Sequence, residues 1–273
     1  MLRNAKDLKN LAIRATDGEI GQVKDMYFDD DAWVLRYFVV ETGSWLSSRK
    51  VLVSPIAVQE ADWQGKTLAV SSTMQQVENG PEIDTNKPVS RQNEEQYFGY
   101  YNYPYYWGGQ GLWGEGMYPF SVLPDHLTGR PDWAERQRED EAALSAERAR
   151  HRSDDPHLRS YGAVVGYHVQ ANDGEIGHIA GFLVDEVTWA IRYLIVDTSN
   201  WGMGSKVLIA PGWISGVHWS SETVSVDLSC DAIQASPVYD PDAVLDRAWE
   251  QRLHAHYSRT GYWTRDQALE RPL

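Results

Sequence analysis

The chain has 273 residues, 42% of them hydrophobic, and a formal net charge of −14. It is long enough to bury a sizeable core in one or two domains, and its acidic balance argues against a nucleic-acid partner, which Lys and Arg would have to hold by displacing counterions. The single cysteine, Cys230, excludes an internal disulfide and a thiolate metal cluster, suits a reducing compartment, and reads as a small residue on a strand face.

The first residues, MLRNAKDLKNLAIRATDG, lack the apolar core of a signal peptide, and no uncharged apolar run along the chain reaches the roughly 18 residues of a membrane span. The protein is therefore expected to be cytoplasmic, with no membrane span and no polybasic anchor for an anionic leaflet. LAIRATDGEIGQVKDMYFD then reads as two extended runs joined at Asp-Gly, the pair that takes the positive φ of a tight hairpin turn most easily. Gly21 falls inside the second run, where a missing Cβ marks a bulge or a close backbone approach. A cation held by Asp17 and Glu19 would need further spaced oxygens that the sequence lacks.

The pentapeptide DGEIG recurs at Asp173 to Gly177, 156 residues on. At that offset Trp33 aligns with Trp189, Arg36-Tyr37 with Arg192-Tyr193, Trp45 with Trp201, Lys50-Val51-Leu52 with Lys206-Val207-Leu208, and Trp63 with Trp219. Arg91, Glu94, Tyr101 and Tyr106-Trp107 align likewise with Arg247, Glu250, Tyr257 and Tyr262-Trp263. No gap is needed, and roughly a quarter of about a hundred aligned positions are identical, the mark of an internal duplication. Domains are accordingly expected at 1–107 and 161–273, with a linker at 108–160.

Asp29, Asp30 and Asp31 read as a polar turn between strands, because the second copy has Asp185, Glu186 and Val187 in their place. WVLRYFVVET and WAIRYLIVDT, broken only by Arg36 and Arg192, are expected to be the most buried strands. Trp33, Trp189, Trp63 and Trp219 read as packing residues at strand ends. Trp45 and Trp201 lie in the loops TGSWLSSRK and TSNWGMGSK, where an aromatic has less core to join, and are candidate contact residues. KVLVSP and KVLIAP stop at prolines, and KTLAVSS and ETVSVDL alternate as half-exposed strands. Five or six short strands in about 75 residues point to a small closed or partly closed barrel in each copy, a mainly β fold.

The order of hairpin DGEIG, strand W-x-(L/I)-R-Y, Trp-bearing loop and KVL(V/I)-x-P resembles the PRC-barrel family, which includes the cytoplasmic domain of the photosynthetic reaction-centre H subunit and the ribosome maturation factor RimM. The resemblance covers about residues 5–85 and 161–240, and the whole chain is similar to bacterial stand-alone proteins with two such barrels. It implies a fold and no particular activity. The chain lacks both the membrane helix of the H subunit and the separate N-terminal domain of RimM.

After each barrel, SRQNEEQYFGYYNYPYYW and DRAWEQRLHAHYSRTGYW read as one short helix with a Ser or Asp cap, broken at Pro104 or Gly261. Tyr97 with Tyr101, and Leu253 with Tyr257, make one stripe at a spacing of four, expected to pack on the barrel or a neighbouring copy. The same residues, with Tyr106, Trp107, Tyr262 and Trp263, are the candidate platform for a protein partner or for self-association. The linker begins with the glycine-rich GGQGLWGEGMYPF, whose aromatics look exposed and could fold back over a barrel, and continues in a charged spacer helix.

No histidine pair has metal spacing, no glycine-rich loop leads into a lysine-bearing helix, and no nucleophile elbow is present. The expectation is a non-enzyme without cofactor or metal, a binding or assembly module whose two barrels pair about a pseudo-twofold axis. The alternative, implied by the family name, is an accessory subunit of a membrane electron-transfer or photosynthetic reaction-centre-like complex.

Overall fold

The structure is a computed structural model. It describes residues 1–81, 89, 91–107, 109–119, 157–198 and 205–269; Trp201 and the charged spacer expected within 120–156 lie outside them. Among the described residues no helix is long and apolar enough to cross a membrane.

In chain order the first part contains β1 (Leu2–Asn4), α1 (Ala5–Leu8), β2 (Ala12–Arg14), β3 (Glu19–Asp29), β4 (Val34–Thr42), β5 (Lys50–Val53), β6 (Val58–Asp62), β7 (Thr67–Val70), α2 (Met74–Glu78) and α3 (Arg91–Tyr101). The second contains β8 (Leu158–Ser160), α4 (Tyr161–Val164), β9 (His168–Ala171), β10 (Gly174–Asp185), β11 (Ile191–Asp197), β12 (Lys206–Ile209), β13 (Ile214–His218), β14 (Thr223–Val226), α5 (Cys230–Gln234), α6 (Arg247–His256) and α7 (Tyr262–Leu269).

Two compact units result. The N-terminal unit comprises Asp7–Ser160 with Val187–Trp189; the C-terminal unit comprises Met1–Lys6, Tyr161–Glu186 and Ala190–Leu273. The break after Ser160 falls where a domain was expected to begin at 161, while Met1–Lys6 and Val187–Trp189 each belong to the unit that does not hold their chain neighbours. The N-terminal unit has a seven-stranded sheet in the order β5-β4-β3-β2-β7-β6, with β8 also on β3. The C-terminal unit repeats it as β12-β11-β10-β9-β14-β13, with β1 on β10. Both sheets are mixed: β2 runs parallel to β7, and β9 to β14, while the other pairs are antiparallel.

Each sheet is an open path and does not close into the barrel expected. The chain leaves β5 through a 3-10 turn, Pro55–Ala57, and leaves β12 through Pro211–Trp213. The expected prolines stand there, and a proline donates no ladder hydrogen bond with which to join β5 to β6.

DGEIG has the same work in both units. Ile20 is an extra residue opposite β2, because Gly21 pairs with Ile13 and Glu19 with Arg14, and Ile176 is extra opposite β9. These bulges tuck Ile20 and Ile176 fully into the core. Positive φ falls at Gly21 (156°) and Gly177 (148°), not at Gly18 or Gly174 of the turns. A Cβ on Gly21 would drive into the Glu41 carbonyl, and one on Gly177 into that of Asp197, so glycine is needed where strands nearly touch. The Asp of each motif reaches a helix start: Asp17 Oδ1 accepts from Met74 N over 2.7 Å, and Asp173 Oδ1 from Cys230 N over 2.7 Å.

The core lies under β4 and β11, which are buried almost throughout, Arg36 and Arg192 included. At the turns before them Trp33 and Trp189 take positive φ (55° and 58°), uncommon for a large side chain. Trp33 stacks on Phe28 at 5.3 Å, and Trp189 meets Phe38 at 5.2 Å.

Candidate functional site

In the N-terminal unit, β4 carries Arg36 and Tyr37 on adjacent positions, α3 carries Arg91 and Glu94 one turn apart, and the chain after α3 brings back Tyr106 and Trp107. Tyr37 pairs with Tyr27 and Leu35 with Phe28, so Arg36 is an extra residue that breaks the alternation of β4, and with the helical spacing of α3 this puts the groups in one buried cluster. Glu94 is its centre, with no exposed surface. Its Oε1 accepts from Tyr106 Oη (2.7 Å) and Tyr37 Oη (3.0 Å), and its Oε2 from Arg91 Nη1 (3.0 Å). His157 Nε2 lies 2.9 Å from Glu94 Oε2 and 3.1 Å from Tyr106 Oη.

Arg36 stands beside that centre. Its Nη2 donates to Asp29 Oδ2 at 3.0 Å and its Nη1 to the Leu112 carbonyl at 2.6 Å. Its guanidinium covers the Tyr106 ring at 3.8 Å and the Trp113 ring at 4.7 Å. Burial by itself would raise the Asp29 carboxyl, but Arg36, His157 and the Ala32 N–H outweigh it and hold it below its ordinary value. Burial first, and then the Glu94 carboxylate, push the Tyr37 and Tyr106 hydroxyls well up, so both stay protonated as donors.

The C-terminal unit rebuilds the arrangement at positions 156 residues on. Tyr262 and Tyr193 donate to Glu250 Oε1 (2.8 and 3.1 Å), Arg247 Nη1 pairs with Glu250 Oε2 (2.9 Å), and Arg192 covers the Tyr262 ring at 4.0 Å. The supporting cast differs. Arg192 reaches Asp266 Oδ2 at 2.6 Å on α7, a helix the sequence did not lead us to expect. His254, on α6, approaches Tyr193 Oη through Nε2 (3.0 Å) and the Thr260 carbonyl through Nδ1 (3.2 Å). Burial lowers its proton affinity, with Arg247 adding to the effect against the Thr260 hydrogen bond.

These clusters fasten each aromatic tail to its sheet. Glu94, Tyr106 and His157 are 0, 4 and 7% exposed, so in this conformation no substrate reaches them. The residues expected as a partner platform divide accordingly. Tyr97, Tyr106, Trp107 and Tyr257 are buried in the chain's own packing, Tyr106 held by Glu94 and Tyr257 set against Trp213 at 4.7 Å. Tyr97 Oη accepts from Ser54 N (3.0 Å) and packs at 4.7 Å on Tyr101, which is half-buried, as are Tyr262 and Trp263. Trp113, taken from sequence as exposed-looking, is fully buried and donates through Nε1 to the Thr188 carbonyl at 2.8 Å.

Trp45 stands apart from both clusters. Half-buried, it donates through Nε1 to the carbonyl of the bulge residue Ile20 at 2.8 Å. It lines an open groove of about 430 Å³ with Gly21, Lys24, Glu41, Ser44 and Ser48. Asp29, Asp30 and Asp31 bring their carboxylates together, but Arg36 and Arg159 already pair with the first two.

No curated protein matches the chain at a significant level. Residues 2–73, from β1 to the cap of α2, match the family model of the PRC-barrel domain.

Proposed function

We propose that the protein is a non-catalytic binding and assembly module of the cytoplasm, made of two PRC-type copies that arose by duplication and pair about a pseudo-twofold axis. The observation that carries this reading is a reciprocal exchange. β8 pairs with β3 in the register Ser160 to Tyr27 and Leu158 to Asp29, and β1 pairs with β10 in the register Asn4 to Leu183 and Leu2 to Asp185. Adding 156 to Tyr27 and Asp29 gives Leu183 and Asp185, and adding 156 to Leu2 and Asn4 gives Leu158 and Ser160, so each edge carries the arm of the other copy. Such trading of one element is the topology of a swapped homodimer folded into one chain. The clusters around Glu94 and Glu250 support the same reading, since buried polar groups that fasten each tail to its own sheet serve architecture.

The test is affinity capture from native lysate after mild cross-linking, beside light scattering on the purified chain. A defined companion held in stoichiometric amount is the expected result. Turnover of a substrate by the purified protein, abolished by a single substitution, would refute the non-catalytic reading.

A further inference from the structure

The exchanged strands are short arms with a common design. In the N-terminal unit, Leu158 is buried, Asp30 N donates to the His157 carbonyl (3.0 Å), and Arg159 Nε reaches Asp30 Oδ2 (2.7 Å). In the C-terminal unit, Glu186 N donates to the Met1 carbonyl (3.1 Å), and Arg3 Nε reaches Glu186 Oε2 (2.5 Å). Leu, Arg and a small polar residue thus meet an acidic hairpin corner twice, in one register. The edges differ at the arm's last residue, where Ser160 Oγ donates to Asp25 Oδ2 in the N-terminal unit and Gly181 stands at the corresponding place in the other. An edge without its arm leaves unpaired backbone groups on a long strand, the template for pairing with another chain.

We propose that the edges Tyr27–Asp29 and Leu183–Asp185 are self-association sites that take the arm of a second copy of this chain. The proposal rests on the assembly reading and names its partner. A chain's own arm is present at an effective concentration on the order of millimolar, so dilute protein keeps its arms to itself, and exchange between chains needs those arms disfavoured or the protein concentrated.

Charge reversal separates the two cases. One full-length variant carries R3E and R159E, so its arms are repelled by its own corners; a second carries D30R and E186R, so its corners repel its own arms. Each alone is expected to elute at the 31.0 kDa of one chain. Mixed in equal amounts, only pairs between chains bring opposite charges together, and light scattering is expected to give twice that mass. A mixture that stays at single-chain mass overturns the proposal. One chain with all four substitutions restores its own pairs and is expected to fold and stay single; its failure to fold would equally overturn the arm assignment. Either failure leaves capture of a different companion untouched, so the assembly reading is tested independently.

Discussion

The Tyr37 hydroxyl donates to Glu94 Oε1 over 3.0 Å at a point no solvent reaches, and 156 residues on Tyr193 makes the same bond to Glu250 over 3.1 Å. Glu94 collects four partners, and Gln keeps only one of its two acceptor oxygens, so Glu94→Gln removes the charge that pairs with Arg91 and turns an amide N–H toward either Arg91 or the two phenols. Removing one member of a buried ion pair typically costs about 3–5 kcal/mol, whereas an exposed pair is worth about 0–1 kcal/mol. Glu94→Gln is therefore expected to lower the urea midpoint by an amount equivalent to about 3 kcal/mol. Lys24→Met, which breaks the exposed Lys24–Glu41 pair (3.5 Å), should leave it nearly unchanged. Equal effects of the two would show that the cluster does not hold the tail.

Glycine substitutions separate strict requirement from tolerance. Gly21→Ala and Gly177→Ala force a methyl into a neighbouring strand's carbonyl and are expected to cost about 2–3 kcal/mol or more, since the backbone must move. Gly99 is in α3 with open space where its Cβ would be, so Gly99→Ala should stabilise by about 0.5–1 kcal/mol through helix propensity. Thermal melting of the three variants checks the ordering, and a mild Gly21→Ala would mean that the bulge is soft.

Much of this was legible beforehand. Periodicity and prolines located β2 to β5, β7, β9 to β12 and β14 but left β6 and β13 unread, and the bulge at Gly21 followed from one glycine inside an apolar run. The identities at Arg36-Tyr37, Arg91, Glu94 and Tyr106-Trp107 were visible as a repeat, yet their meeting was not, since sequence spacing cannot bring β4 and the tail after α3 together. In the aromatic tails Tyr97 and Leu253 are buried in the chain's own packing, and a buried glutamate takes the hydroxyls of Tyr106 and Tyr262, which had looked suited to a partner. The arms were missed because a three-residue strand has no periodicity. Trp113 looked exposed among its glycines, yet of the two readings offered for that segment it takes the fold-back over the sheet, where the glycines let the chain turn tightly, with bridges from Gly111 to Gly114 and from Trp113 to Gly116.

Cys230 gives a chemical readout of folding. It is 8% exposed, and burial first, with the nearby Asp173 carboxylate second, pushes its thiol up to about 11. Because the thiolate is the reactive form, alkylation by iodoacetamide at pH 8 should be at least tenfold slower in the folded chain than in urea. Asp173→Asn removes the second influence, so folded-state labelling should quicken modestly. Rapid labelling of the native protein would contradict the buried placement.

His254 makes stability depend on pH in one direction. Burial lowers its folded-state affinity for a proton below the ordinary value of 6.5, while the unfolded chain keeps that value. Between the lowered pKa and 6.5 the unfolded state binds more protons, so stability rises with pH there and is lost as pH falls below 6.5. At pH 7 the ring is neutral; its Nδ1–H donates to the Thr260 carbonyl, and its unprotonated Nε2 lies 3.0 Å from the Tyr193 hydroxyl, whose one proton goes to Glu250. Acidification must protonate that nitrogen inside a site that already holds Arg247, so the melting temperature is expected to be several degrees lower at pH 5 than at pH 7. The position equivalent to His254 in the N-terminal unit is Phe98, whose ring carries no titratable group and packs on Tyr106 at 5.7 Å and on Trp107 at 5.4 Å. His254→Phe should therefore fold, and the gap between its melting temperatures at pH 5 and pH 7 should shrink. A gap of unchanged size would assign the acid sensitivity to other groups, with Asp29, held below its ordinary value, losing its contribution only at still lower pH.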